Sequence, residues 1–195
     1  MLSREEFDAI EFDAACTGDY RSAAEKMSLL AATGIQTESM PRAEAFARAG
    51  ELWLLADDPA AAVSGFRRAM EDGGRVCIDP RVLLSRALFQ LGRRDEANAL
   101  IADLKTEGRK DPRACEMIME LLVEQSDLNG ALDWATAGVE LILQGAGRPP
   151  GALAEGPAGE AGSSYNGLRE LLRLRYRIRN DLRLPEDEYD RMLNP

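Results

Sequence analysis

Histidine is absent from the 195-residue sequence. A Ser-His-Asp triad, a Cys-His dyad and every histidine-containing zinc site are therefore excluded. The three cysteines, Cys16, Cys77 and Cys115, are far apart and form no CxxC pair. Thiols in this arrangement are typical of buried apolar side chains in a reducing cytoplasm, so we predict that all three are buried and that the chain binds no metal or cofactor.

Long apolar runs and phosphate-binding motifs are also missing. No segment approaches eighteen uninterrupted apolar residues, and the start, MLSREEFDAIEFDAAC, has acidic residues where an export signal needs an apolar core. We therefore expect a cytoplasmic protein that does not associate with membranes. Because neither GxxxxGK[ST] nor GxGxxG occurs, we expect no nucleotide site.

Acidic residues dominate the charge. Lys and Arg number 24 and Asp and Glu 34, which gives a net charge of −10. An acidic body repels phosphate backbones, so no nucleic-acid partner is expected. Carboxylate pairs such as Glu5-Glu6 are usually solvated in acidic helical proteins, so we predict that the chain is not an enzyme.

Residues 5–143 have a helical pattern throughout. Ala, Leu, Glu and Arg dominate, and apolar residues recur at three- and four-residue spacing. Asp58-Pro59, Asp79-Pro80 and Asp111-Pro112 are each typical of an N-cap followed by proline in the first turn. We predict about eight helices in antiparallel pairs, with a plain helical bundle as the alternative to a repeat.

A turn followed by an alanine recurs at nearly constant spacing along these helices. The small residue that follows each mid-unit turn is Ala23, Ala62, Ala97 or Ala131, at steps of 39, 35 and 34 residues. Self-similarity at this period predicts a helical solenoid, in which each helix pair stacks on the next.

The second unit carries the motif residues most fully, with aromatic and small residues at fixed positions on its two helices. They are Phe46, Ala49, Gly50, Trp53, Ala62, Phe66 and Ala69. The other units match in part, through Gly18, Tyr20, Ala23, Met27 and Leu30, through Leu84, Leu88, Ala97, Ile101 and Leu104, and through Ile118, Leu122, Ala131, Ala135 and Gly138. This pattern resembles the tetratricopeptide repeat (TPR) family over residues 4–143.

The resemblance implies an all-α, right-handed superhelical solenoid of about four TPR-like helix-turn-helix units over residues 1–143. The stretch RIRNDLRLPEDEYD after it also resembles uncharacterised actinobacterial TPR proteins, some of which carry a Cys-rich SEC-C zinc motif that this sequence lacks. No zinc is therefore implied.

In the TPR family, the first helix of each unit lines a concave groove that binds protein segments. The groove positions that the resemblance implies are Asp8, Phe12, Arg48, Glu51, Leu54, Leu83, Arg86, Phe89, Met117, Glu120 and Glu124. The Lys and Asn clamp for chaperone C-termini is absent. An apolar strip fringed by carboxylates favours an apolar and basic protein or peptide partner. Alternatively, the acidic face is only solvated, or the apolar residues belong to the core if the register is one residue out.

Residues 144–164 are rich in Gly, Pro and Ala, which predicts a flexible linker. Residues 165–195 then form an Arg-rich helical segment, with one helix over 167–183 followed by a second short helix, which together make a hairpin. The predicted docking residues of this helix are Leu171, Arg173, Leu174, Arg177, Ile178 and Leu182. The helix is expected to dock on the repeat body, either as a cap on the last unit or as a self-inhibiting plug in the groove. A third hypothesis is that the arginines of this helix contact anionic lipid or RNA.

These features predict a protein-protein interaction module of bacterial type, an adaptor or regulator without chemistry of its own. A self-assembling structural component is the alternative, since solenoids with uncovered ends stack on one another and the chain could form a homodimer.

Overall fold

The computed structural model describes residues 3–35, 37–107, 111–145 and 160–193, and these residues form helices and their connections with no β-strand. The helices are α1 (Arg4–Thr17), α2 (Tyr20–Thr33), α3 (Arg42–Leu55), α4 (Pro59–Asp72), α5 (Pro80–Gln90), α6 (Arg94–Thr106), α7 (Pro112–Glu124), α8 (Leu128–Gly145), α9 (Glu160–Asp181) and α10 (Glu188–Arg191). The all-α prediction and the eight helices predicted before residue 146 are confirmed within this part of the chain.

Aspartate side chains begin most of these helices. Asp58, Asp79 and Asp111 each accept a hydrogen bond from a backbone N–H in the first turn, and each is followed by proline at the first helical position. Asp19 caps α2 in the same way through the N–H of Ser22. Each cap satisfies a backbone donor that the helix itself leaves unpaired. The N-caps predicted at the three Asp-Pro pairs are confirmed.

The turn between the two helices of each unit has the same backbone form. Gly18, Asp57, Gly92 and Ser126 all adopt a positive φ, between 56° and 78°. Their spacing is 39, 35 and 34 residues, which equals the period of the alanine register. In the last three of these turns the next N–H reaches back to the carbonyl five residues earlier, for example Asp127 N to Leu122 O at 2.9 Å. The repeat in the sequence is therefore also a repeat of a helix-ending hydrogen-bond pattern.

The chain divides into two compact units, and consecutive helices pack on one another within each unit. The first unit, Met1–Glu107, contains α1 to α6, and the second, Gly108–Pro195, contains α7 to α10. Inside the first, α2 packs on α3, α3 on α4, α4 on α5 and α5 on α6. Inside the second, α7 packs on α8 and α8 on α9. Each helix thus covers the apolar side of its neighbour in the sequence.

The predicted linker begins and ends in helix. Residues 144–145 close α8, and residues 160–164 belong to α9, which starts seven residues before the predicted helix at 167. Residues 146–159 lie outside the described residues.

The α3–α4 pair shows how closely two helices of one unit approach. A Cβ atom added at Gly50 would lie 2.5 Å from the Phe66 ring, and one added at Gly65 would lie 3.2 Å from the Gly50 Cα. Phe66 itself is fully buried. The backbones can cross at this distance only because the crossing residues are small.

The prediction that all three cysteines are buried is wrong for two of them. Cys115 is fully buried on α7, whereas Cys16 and Cys77 are exposed. The backbone N–H of Cys77 donates to the Glu44 carboxylate at 2.8 Å. The same carboxylate accepts from the thiol and, together with burial, raises the pKa of Cys77, so this thiol stays protonated at neutral pH.

We expect Gly50→Ala to destabilise the first unit by about 1–3 kcal/mol, because the added methyl group overlaps the buried Phe66 ring. Urea unfolding followed by circular dichroism measures the change. Gly167→Ala on α9 is the matched control, since its Cβ would meet nothing within 4 Å. There the expected change is a gain of about 0.5–1 kcal/mol. Equal effects of the two substitutions would contradict the close crossing.

Candidate functional site

An arginine bridge joins α1 to α3 on the predicted binding face. Arg48 donates from Nη2 to Asp8 Oδ1 at 2.6 Å and from Nε to Glu11 Oε1 at 2.7 Å. Its guanidinium lies over the Phe7 ring, 5.7 Å from the centroid. The structure thus brings together two predicted site residues, Asp8 and Arg48, and adds Glu11, which the sequence analysis missed although it lies one turn beyond Asp8.

The bridge changes what Arg48 can offer to a ligand. Its side chain is only 13% exposed. Burial lowers the pKa of Arg48, but the hydrogen bonds to Glu11 and Asp8 outweigh burial and raise it, so the guanidinium stays charged. One cation faces two carboxylates here, and the local balance remains acidic.

Two large apolar side chains stand exposed on the same two helices. Phe12 is 73% exposed on α1, one turn after Asp8, and Leu55 is 61% exposed on α3. Leu55 lies on the helix face that also carries Arg48 and Glu51, because residues three, four and seven apart share a face. We call the surface formed by Asp8, Glu11, Phe12, Arg48, Glu51 and Leu55 the α1–α3 face. Exposed residues of this size beside carboxylates are candidates for contact with a partner.

The apolar residues predicted for the binding face in the third unit are buried. Leu83 and Phe89 on α5 are only 4% and 9% exposed, while Arg86 is half-buried. We expected both apolar residues on an accessible strip. They pack instead in the interior of the first unit, because α5 lies against both α4 and α6 and is buried on most sides. Leu54 on α3 is half-buried, and its neighbour Leu55 is the exposed one.

In the second unit, the predicted residues lie along α7. Met117 is half-buried, and Glu120 and Glu124 are exposed. Burial raises the pKa of Glu116, and the nearby charges of Glu120 and Glu170 raise it further against the opposing effect of an arginine. This part of the second unit therefore concentrates carboxylates between α7 and α9.

The C-terminal helix α9 packs on α8 through a broader apolar stripe than the sequence predicted. Leu171 and Ile178 are buried, as are Leu168 and Leu172, which the analysis had not assigned. The predicted Leu174 and Leu182 are half-buried, and Arg173 and Arg177 are exposed. Leu171 also touches the α7–α8 pair, since a Cβ at Gly138 would lie 3.2 Å from its Cδ1. The α9 helix therefore packs on α8 beside the α7 contact, since the same Cβ would lie 3.0 Å from Cys115 Cβ.

A buried arginine fastens this C-terminal hairpin. Arg175 is 3% exposed and lies 3.0 Å from Asp187 and 3.2 Å from Asp190, while its Nε donates to Thr136 Oγ1 on α8 at 2.9 Å. Its guanidinium lies 4.7 Å from the centroid of the Tyr189 ring.

Arg179 completes the cluster. It pairs with Asp190 at 2.9 Å and with Asp187 at 3.1 Å, and it donates to the Pro185 carbonyl. Two cations and two carboxylates thus balance each other. We call Arg175, Arg179, Asp187 and Asp190 the hairpin cluster.

Comparison with known proteins adds no relative: no protein-family model and no curated protein matches the chain. Within the described residues, no group of three or more cysteine and acidic side chains is arranged to hold a metal ion. Among the described helices, none combines the length and apolar character needed to cross a bilayer.

We expect Arg175→Met to destabilise the second unit by about 3–5 kcal/mol, because it leaves Asp190 buried beside too little positive charge. Arg177→Met, two residues away on the exposed side of α9, is the matched control and should change stability by no more than about 0.5 kcal/mol. Thermal unfolding followed by Trp134 fluorescence in a Trp53→Phe background would measure both. Similar losses for the two variants would refute the role of the cluster.

The hairpin cluster also predicts a dependence on pH. Burial acts to raise the pKa of Asp187, but hydrogen bonds from Arg175 and the Asp190 backbone outweigh burial and hold the pKa below its ordinary value. A lowered folded-state pKa stabilises the fold above the unfolded value, and the stabilisation is lost as the pH falls through the folded value. Unit-two stability should therefore fall below about pH 4.

Asp187→Asn isolates this effect, since asparagine caps a helix as well as aspartate but carries no charge. The variant should be less stable at pH 7 and should show a shallower loss between pH 5 and 3 in the same fluorescence assay. An unchanged acid slope would mean that other carboxylates control it.

Proposed function

We propose that this chain is a protein-protein interaction module, an adaptor or regulator whose α1–α3 face binds an apolar and basic segment of a protein partner. The observation that carries the proposal is that Phe12 and Leu55 are 73% and 61% exposed on an acidic face. The one cation of that face, Arg48, is already neutralised by Asp8 and Glu11. Apolar side chains of a partner would cover the two residues, and its basic side chains would meet the carboxylates. The role requires no catalytic step.

The repeat architecture supports this role. We propose that the helix pairs form a TPR-like right-handed solenoid of four units, with α9 in the place that the first helix of a fifth unit would take. Two facts support it: the left-handed turn recurs at the sequence period, and α9 packs on α8 as α3 packs on α2 and α5 on α4. Of the two docking modes expected for α9, this packing favours the cap over the plug.

A cytoplasmic location fits the same proposal. Its support is the acidic composition together with three cysteines that are free thiols in the structure. The chemistry of the face defines the partner only by class, as a segment with leucine-like and arginine-like side chains alternating along one side.

The test uses the full chain and two synthetic amphipathic helical peptides with the same leucine pattern. One carries arginine and the other glutamate at every polar position. Calorimetric titration should detect the arginine peptide and not the glutamate peptide, because the face repels a second set of carboxylates. Equal binding of both peptides would refute the acidic selectivity.

The double variant Phe12→Ser with Leu55→Ser should weaken binding of the arginine peptide at least ten-fold. Burying one such side chain is worth about 1.5–3 kcal/mol, and about 1.4 kcal/mol corresponds to a factor of ten. Leu29→Ser with Ile35→Ser is the matched control, since these residues are 64% and 68% exposed away from the α1–α3 face. An equal loss in the control would place the binding elsewhere.

A further inference from the structure

A second surface lies between α1 and α2, on the other side of α1 from Phe12. It is an open groove of about 470 Å³. Its floor is apolar, formed by Ile10, Ala14 and Ala23, each less than 9% exposed, together with Ala9. The volume is large enough to hold a few side chains of a docked helix.

The rim of this groove is acidic. Glu6, Asp13 and Asp19 line it, against the single ammonium of Lys26. Asp19 is occupied in part as the N-cap of α2, through the Ser22 N–H at 3.1 Å. Glu6 and Asp13 make no ion pair with any residue that the structure describes. Two unneutralised carboxylates therefore stand along one edge of an apolar floor.

The outer side of α9 carries the opposite charge at a matching spacing. Arg169, Arg173 and Arg177 are exposed at four-residue intervals, with half-buried Tyr176 on the same side of the helix. Arg173 has one loose ion pair, 3.6 Å from Glu170. Arg169 and Arg177 have none within the described part of the chain. This row lies opposite the apolar stripe that seats α9 on α8.

The two surfaces agree in length. Glu6 and Asp13 are seven residues apart on α1, about 10.5 Å along the axis, and Arg169 and Arg177 are eight apart on α9, about 12 Å. A helix laid along α1 would bring each arginine to one carboxylate. The aromatic side chain of Tyr176 would then lie over the alanine and isoleucine floor.

We propose that the outer side of α9 of one copy docks in the α1–α2 groove of a second copy of this chain. The contact joins two different surfaces, so the first copy keeps a free groove and the second copy keeps a free arginine row. Association therefore continues head to tail, or closes into a ring, instead of stopping at a symmetric pair. Since the contact is largely electrostatic at exposed positions, salt weakens it.

The experiment is sedimentation velocity of the full chain from low to high micromolar concentration. The average mass should rise with concentration at about 50 mM salt and fall back toward the monomer at about 500 mM. A monomer at every concentration would overturn the proposal. So would a mass that is higher but independent of concentration and salt.

Charge reversal identifies the surfaces. Variant one, Arg169→Glu with Arg177→Glu, and variant two, Glu6→Arg with Asp13→Arg, should each remain monomeric, because like charges then face each other. Mixed together, they should associate again, since the acidic helix of one meets the basic groove of the other. Circular dichroism confirms that each variant keeps its helix content, so a loss of association is not a loss of fold.

The matched control for variant one is Arg75→Glu with Arg94→Glu. It makes the same change in net charge as variant one, at two exposed arginines away from α9. It should associate like the unaltered chain. If it also stays monomeric, the effect is one of total charge and the proposal fails. If variants one and two fail to associate when mixed, the pairing of these two surfaces is refuted. Neither result affects peptide binding at the α1–α3 face, which the titration measures separately.

Discussion

A pair of short helices leaves one apolar side open to water, and covering that side is the constraint on which this architecture depends. Each helix solves it by packing on its neighbour in the sequence, as α3 does on α2 and α5 on α4. The solution always leaves one further open side, which belongs to the last helix of the series. In the second unit that helix is α8, and α9 covers it.

Apolar packing and ion pairs together hold α9 and the segment that follows it on α8. Leu171 and Leu172 supply the apolar contact with α8, and the returning segment adds buried Met192 to the same core and is also held by charge. Arg175 and Arg179 draw Asp187 and Asp190 back against α9, and the Thr136 hydroxyl ties the cluster to α8. A buried cluster of this kind adds little net stability over an apolar core, yet it is costly to break by removing one member. It therefore specifies one position for the hairpin more than it strengthens the fold.

Much of the fold followed from local signals. Asp58 and Asp111 were identified as N-caps because aspartate followed by proline is typical of a helix start. The spacing of the repeated alanines predicted the positions of the turns. Arg175 could not be placed in the same way. It lies on the same face as the apolar stripe, four residues after Leu171 and three before Ile178, but its partners are twelve and fifteen residues further on. Burial of such a residue depends on a tertiary contact that no local pattern records.

The candidate site was less predictable than the fold. Asp8 and Arg48 were assigned from the repeat register, and the structure joins them in one ion pair between α1 and α3. On α5 the same register selected Leu83 and Phe89, which are buried, because that helix has neighbours on two sides. The exposed Leu55 next to the predicted Leu54 shows that one residue of offset decides which side chain is accessible.

The order in which the helices pack has a consequence for synthesis. Contacts between neighbours in the sequence need little chain closure, so they form quickly and in the order in which the ribosome releases them. The first unit, Met1–Glu107, holds all of its own helices and can complete its packing while the rest is still being translated. The side of α8 that α9 covers has no such advantage. It stays open until α9 emerges, and the ion pairs that fasten the hairpin form only when Asp187 and Asp190 follow, so during that interval the nascent chain exposes an apolar surface.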